Sequence, residues 1–145
     1  MAVRRSANVQ WQGDLMSGSG KVSTQSGVVS DATVKWSSRA EQADENTSPE
    51  ELIAAAHATC ISMSLAHILA QAGNSPQQLD TEATATFEKV GEGFRMTTME
   101  ISIRAQVEGL DADAFRQSAE EAMESCPVSQ ALKGNVDVSL DAALA

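Results

Sequence analysis

The stretch Ser48–Cys60, SPEELIAAAHATC, reads as the start of a long helix. Ser48 or Thr47 can cap it, Pro49 suits the first helical position, and Glu50 and Glu51 fall in the first turn, where the helix dipole favours negative charge. The pattern runs to about Gln71, and Gly73 with Pro76 ends it. Leu52, Ile53, Ala56, Ile61, Met63, Leu65 and Leu69 place apolar side chains on nearly every face. Such a helix is buried on most sides, and a short chain with few strands does not cover all of them. A second copy laying its own helix alongside is the expected solution, which makes a homodimer the expected assembly.

Outward from this helix, the N-terminal segments ANVQWQG, GKVSTQSGVV and ATVKWSS are rich in Val, Thr and Trp and are separated by GDLMSGSG and VSDA. They predict a three-stranded antiparallel meander. The polar, aperiodic SSRAEQADENTSP that follows predicts a surface loop. On the C-terminal side, TEATATFEKV and FRMTTMEISIRAQVEG flank a tight turn at Gly91–Gly93 and form a hairpin with one half-buried face. DADAFRQSAEEAMESC predicts a second helix, capped by Asp111 or Asp113 and ending at Cys126. Pro127 opens a short helix, PVSQALKG, and the alternating Val136, Val138 and Leu140 mark a last strand. The order βββ, α, ββ, α, α, β is that of an α+β fold in a single domain over residues 1–145.

The formal net charge of −10 argues against nucleic acid and against anionic membrane surfaces, both of which need a basic patch. No run of eighteen or more apolar residues occurs, and the opening MAVRRSANVQW has no hydrophobic block behind its arginines. The expectation is a cytoplasmic protein with no membrane span. Small molecules and other proteins remain as partners.

Two cysteines are too few for a disulfide scaffold, so Cys60 and Cys126 are either small core residues or redox-active thiols. Cys126 precedes Pro127 at a helix start, where unpaired N–H groups and the dipole favour a thiolate, although Cys-Pro is also an ordinary turn. Cys60 lies well inside a helix, in apolar surroundings that raise a thiol's pKa, and needs a cation to ionise. Arg39, in the loop feeding the helix, is the candidate, with Glu50 as the carboxylate that pairs its guanidinium. Ten residues of continuous helix separate Glu50 from Cys60 by about 15 Å, so a shared site needs Glu50 from one subunit and Cys60 from the other. His57 and His67 read as buried or interface residues, with a general base or a zinc site built with the two cysteines as the alternatives. LMSGSGKVS lacks the spacing of a phosphate-binding loop.

WQGD, GKVSTQSGV, Arg39, SPEELIAAAHATC and SCPVSQAL, in this order, resemble the OsmC/Ohr family of osmotically inducible and organic hydroperoxide resistance proteins, and His57-x-x-Cys60 with Arg39 after the third strand is more similar to the OsmC branch. The resemblance implies an intertwined homodimer, antiparallel sheets wrapped around central helices, with its sites at the subunit interface. It implies Cys60 as the peroxidatic thiolate, Cys126 as the resolving thiol, and Arg39 with Glu50 as the activating pair. The implied activity is thiol-dependent reduction of organic hydroperoxides, and more weakly of hydrogen peroxide. No bound metal or organic cofactor is needed, and an external dithiol, lipoyl-type or a small thiol, restores the enzyme. The reading from another class is a non-enzymatic protein that binds an apolar small molecule and merely packs its cysteines.

Overall fold

The computed structural model describes residues 1–145, which cluster into two compact units, Met1–Leu52 and Ile53–Ala145. The first contains β1 (Ala7–Gln12), β2 (Ser19–Thr24) and β3 (Ala32–Val34), an antiparallel sheet in the order β1-β2-β3. The meander is the one its Val, Thr and Trp pattern predicts. Gly20 sits where Trp11 crosses the sheet: a Cβ there would meet the indole at 2.8 Å and a Val34 methyl at 3.0 Å. Beyond β3 the chain departs from the expected loop and forms a short helix, α1 (Trp36–Ala40), with Arg39 in its last turn. Lys35 turns from extended backbone into that helix, so the third strand ends earlier than ATVKWSS suggested.

The long helix expected from Ser48–Cys60 is α2 (Pro49–Gln71). Ser48 caps it, its hydroxyl accepting from the Glu51 N–H at 3.1 Å, and Gly73 ends it at φ +85°. Gly73 N–H donates to Ala70 and Asn74 N–H to Leu69, the paired bonds of a Schellman stop. By length and composition α2 is apolar enough to cross a membrane, a test that the core helix of a soluble protein also passes. One stripe, Ala54, His57, Ile61, Leu65 and Leu69, is buried. The opposite stripe, Ala55, Thr59, Met63 and His67, is exposed within the single chain, with Met63 70 % accessible.

In the second unit β4 (Gln78–Val90) and β5 (Gly93–Gln106) form the long hairpin around Gly91–Glu92, with a bulge at Thr86/Phe87. On β5, Met99, Ile101, Ile103 and Ala105 alternate into the core and meet the α2 stripe and Phe115, Ala119 and Ala122 of α3 (Ala112–Ser125). Asp111 caps α3 by accepting from the Ala114 N–H at 2.8 Å. Cys126 then closes α3 and opens α4 (Pro127–Leu132), its ψ of 125° being the extended value that a following proline imposes. The last strand, β6 (Asp137–Leu144), pairs with β5 in parallel. The expectation of antiparallel sheets is corrected here: the second sheet, β4-β5-β6, is mixed, because the α3–α4 excursion is a crossover and returns the chain in the direction of β5.

Candidate active site

In the second unit the structure brings Cys60 and Cys126 together as free thiols, Cys60 partly buried and Cys126 wholly so. The Cys60 thiol lies close enough to Cys126 and to the backbone N–H of Val128 for both to influence its ionisation. Burial pushes the Cys60 thiol above its ordinary range and the Cys126 contact adds to that, while the Val128 N–H opposes both. No cation is among these influences. The arrangement follows from a helix junction. Cys126 donates its N–H to Ala122 at 2.9 Å and accepts from Gln130 N–H at 3.0 Å. Pro127 has no N–H, so Val128 supplies the first backbone donor of α4.

His57, one turn before Cys60, is fully buried, and its Nε2 lies 2.7 Å from the Ser129 hydroxyl. Its Nδ1 is buried without a hydrogen-bond partner. Burial depresses the His57 pKa and keeps the ring neutral at pH 7. The tautomer with its proton on Nε2 leaves Nδ1 as a bare lone pair, which costs less than an orphaned buried N–H. His57 therefore donates to Ser129. His67 stands exposed on the far face of α2, and no group of three or more His, Cys, Asp or Glu side chains converges as a metal site requires.

In the first unit the structure brings Arg39 and Glu50 together. Arg39 Nε lies 3.1 Å from both carboxylate oxygens and Nη2 lies 2.8 Å from Oε1, so one edge of the guanidinium faces the whole carboxylate. Glu50 is 7 % accessible and sits in the first turn of α2, where the dipole favours its charge. The segment between them is tied down. Ser38 donates to Asp44 at 2.9 Å, Asn46 donates its backbone N–H to the same carboxylate at 2.9 Å, and Lys35 Nζ stands 3.7 Å from it. These bonds, Asn46 first, hold the Asp44 carboxyl below its ordinary value against the opposing effect of burial. Arg39 also lines a cavity of about 380 Å³ whose walls include Val9, Trp11, Val22, Trp36 and Leu52. An oily ligand with a polar or reactive end suits such a space.

Glu50 and Cys60 stand ten residues apart on one uninterrupted helix, about 15 Å along its axis. Sequence reasoning missed Val128 and Ser129, although Pro127 at the first helical position already implied that residue 128 carries the first donor. It also missed the bonds of Ser38, Asp44 and Asn46, for which a hydroxyl, a carboxylate and an amide at short spacing were the available signal.

The sequence model of a family described as "OsmC-like protein" matches residues 42–141. The chain is 39 % identical to the Peroxiredoxin OsmC of Escherichia coli (strain K12) over 136 residues, covering 94 % of each. It is 28 % identical to the organic hydroperoxide resistance protein OhrA of Bacillus subtilis (strain 168) over 117 residues, covering 78 % of this chain and 79 % of that one. Among solved structures, the organic hydroperoxide resistance protein OhrB of Bacillus subtilis superposes with a TM-score of 0.74 at 25 % identity, covering 94 % of this chain and 97 % of that one.

Proposed function

The chain belongs to the OsmC-like protein family, and we propose that it is a cysteine peroxidase reducing organic hydroperoxides, and hydrogen peroxide more weakly. The single observation that carries the proposal is the closeness of Cys60 and Cys126, on two different elements of one core, near enough for Cys126 to influence the ionisation of Cys60. Two free thiols this close have a chemistry that two packed thiols at a distance lack. The Cys60 thiolate attacks the distal oxygen of ROOH, the O–O bond breaks, and ROH leaves with a proton while sulfur becomes Cys60–SOH. The Cys126 thiol then attacks that sulfur, expelling water and forming the Cys60–Cys126 disulfide. Two electrons have passed from the thiols to the peroxide. An external dithiol, lipoyl-type or a small thiol, returns them in a compartment reducing enough to keep both sulfurs available, which fits the cytoplasm.

A cation must lower the Cys60 pKa, and none acts on it within its own unit. In our reading a homodimer supplies it, with the partner subunit's Arg39, aligned by its Glu50, placed at the sulfur and the apolar cavity beside Arg39 receiving the alkyl tail. The exposed stripe of α2 supports that assembly, because Ala55 and Met63 leave apolar surface without cover beside Thr59 and His67. The cavity favours a second reading, a binding protein for an apolar small molecule, but such a protein has no need of the Arg39–Glu50 pair.

Counting free thiols in reduced protein before and after one equivalent of cumene hydroperoxide tests the proposal. The wild type is expected to lose both thiols, and Cys126→Ser to lose one and accumulate a sulfenic acid that dimedone traps. Two unreacted thiols in the wild type would overturn the peroxidase and leave ligand binding in its place.

A further inference from the structure

The peroxidase chemistry uses Cys60 and Cys126 but leaves a fully buried histidine, with one nitrogen unpaired, unexplained. His57 and Cys60 are three residues apart and share one face of α2. Val128 and Ser129 are neighbours in the first turn of α4. One bridge, His57 to the Ser129 hydroxyl at 2.7 Å, therefore ties the two helices one turn from Cys60 and one residue from Val128, whose N–H lies close enough to the Cys60 sulfur to favour its charged form. The covalent junction and its backbone bonds set Cys126 relative to α3 and α4, but they do not set how deeply α4 seats against α2. The His57–Ser129 bond joins those two helices directly. A backbone N–H stabilises a thiolate only at hydrogen-bond distance, so a small lift of the α4 start removes both the Val128 donor and the Cys126 contact.

Building on the peroxidase reading, we propose that His57 and Ser129 are positioning residues, a latch that seats the start of α4 on α2 so that the Val128 N–H and the Cys126 thiol meet the Cys60 sulfur. The latch works on both halves of the cycle. It holds a donor on the thiolate before oxidation, and afterwards it holds Cys126 within reach of Cys60–SOH, so that water is expelled and the disulfide closes before a second peroxide converts the sulfenic acid to sulfinic acid.

The test separates positioning from mere stability. Ser129→Ala leaves a buried imidazole N–H unpaired and destabilises the fold, whereas His57→Leu/Ser129→Ala removes both polar partners and relieves that cost. A purely structural bond is therefore rescued by the double variant, and a latch is not. In the Cys126→Ser background, where Cys60 is the sole thiol, alkylation of Cys60 by iodoacetamide at pH 7 is expected to slow about tenfold in both variants. Ser129→Thr, which keeps the hydroxyl, is expected to restore the rate. With Cys126 present, the equilibrium of the Cys60–Cys126 disulfide against dithiothreitol is expected to shift about tenfold toward the dithiol in both variants. A double variant with wild-type alkylation and disulfide equilibrium overturns the latch, even if Ser129→Ala fails to fold. Neither readout uses a hydroperoxide. A wild type inert to peroxide would overturn the activity and leave this result standing on its own.

Discussion

Arg39 and Glu50 lie eleven positions apart in sequence and meet along a whole guanidinium edge, a geometry a lysine does not reproduce. The carboxylate cancels most of the guanidinium's field at long range but fixes the plane of the cation, and a thiolate partner needs a cation at a set place more than it needs net charge. Arg39→Lys is expected to slow the reaction of Cys60 with cumene hydroperoxide about tenfold, and Arg39→Gln about a hundredfold, measured by stopped-flow thiol oxidation. Equal rates for all three proteins would remove the pair from the chemistry. Arg39→Gln also leaves Glu50 buried and unpaired, which costs about 1–2 kcal/mol after allowing for the partial exposure of the arginine, read from urea midpoints. Glu50→Gln in the same background is expected to recover most of that stability and none of the rate.

At the scale of the element, the short helix α1 and the segment after it carry Arg39, and Asp44 holds them. Its folded pKa lies below the ordinary 3.8, so the unfolded chain binds protons first as the pH falls. The contribution of Asp44 is therefore complete above about pH 4 and disappears as the pH drops through the lower folded value. Asp44→Asn imitates the acid form at neutral pH. We expect amide exchange across residues 41–48 to rise severalfold at pH 7 in this variant, with the exchange of the β5 core unchanged; equal protection in wild type and variant would show that the segment is held by other contacts. These bonds show where the sequence was legible. The capping of α2, the hairpin around Gly91 and the αα junction at Pro127 are written in neighbouring residues, and the chain obeys them. Hydrophobic periodicity alone marks Ser37–Ser48 as featureless, because its order comes from side-chain bonds to backbone and to one another. The alternation of Val136, Val138 and Leu140 marks a strand but carries no direction. What sets the parallel pairing of β6 is the length of the helical connection after β5, a topological signal outweighed by the antiparallel habit of the earlier strands. The closeness of Cys60 and Cys126 was legible only through family resemblance, since the 65 residues between them carry no local record of it.

For the whole molecule, the apolar character of α2 has to be reconciled with its exposure. Ala54, Ile61, Leu65 and Leu69 account for the buried stripe, and nothing in the chain's own second unit covers Ala55, Thr59 and Met63 opposite. The same chain leaves Val9, Leu15 and Met16 of its N-terminal unit exposed, and a soluble assembly gains by covering surfaces of this kind. A twofold partner that buries the α2 stripe against its own counterpart is self-complementary by construction, because the same residues meet from both sides. Met63→Glu then places two carboxylates face to face at that contact while leaving the core stripe untouched. The wild type is expected to sediment as a dimer, and Met63→Glu as a folded monomer with unchanged far-ultraviolet circular dichroism. Its Cys60–Cys126 disulfide is expected to form normally with oxidised dithiothreitol, since both thiols belong to one chain. Its reaction with cumene hydroperoxide is expected to fall about as far as that of Arg39→Gln, because loss of the partner and loss of the guanidinium remove the same cation. A monomeric Met63→Glu that reduces the peroxide at the wild-type rate would place the activating cation on the same chain as the thiol and end the case for a site shared between subunits.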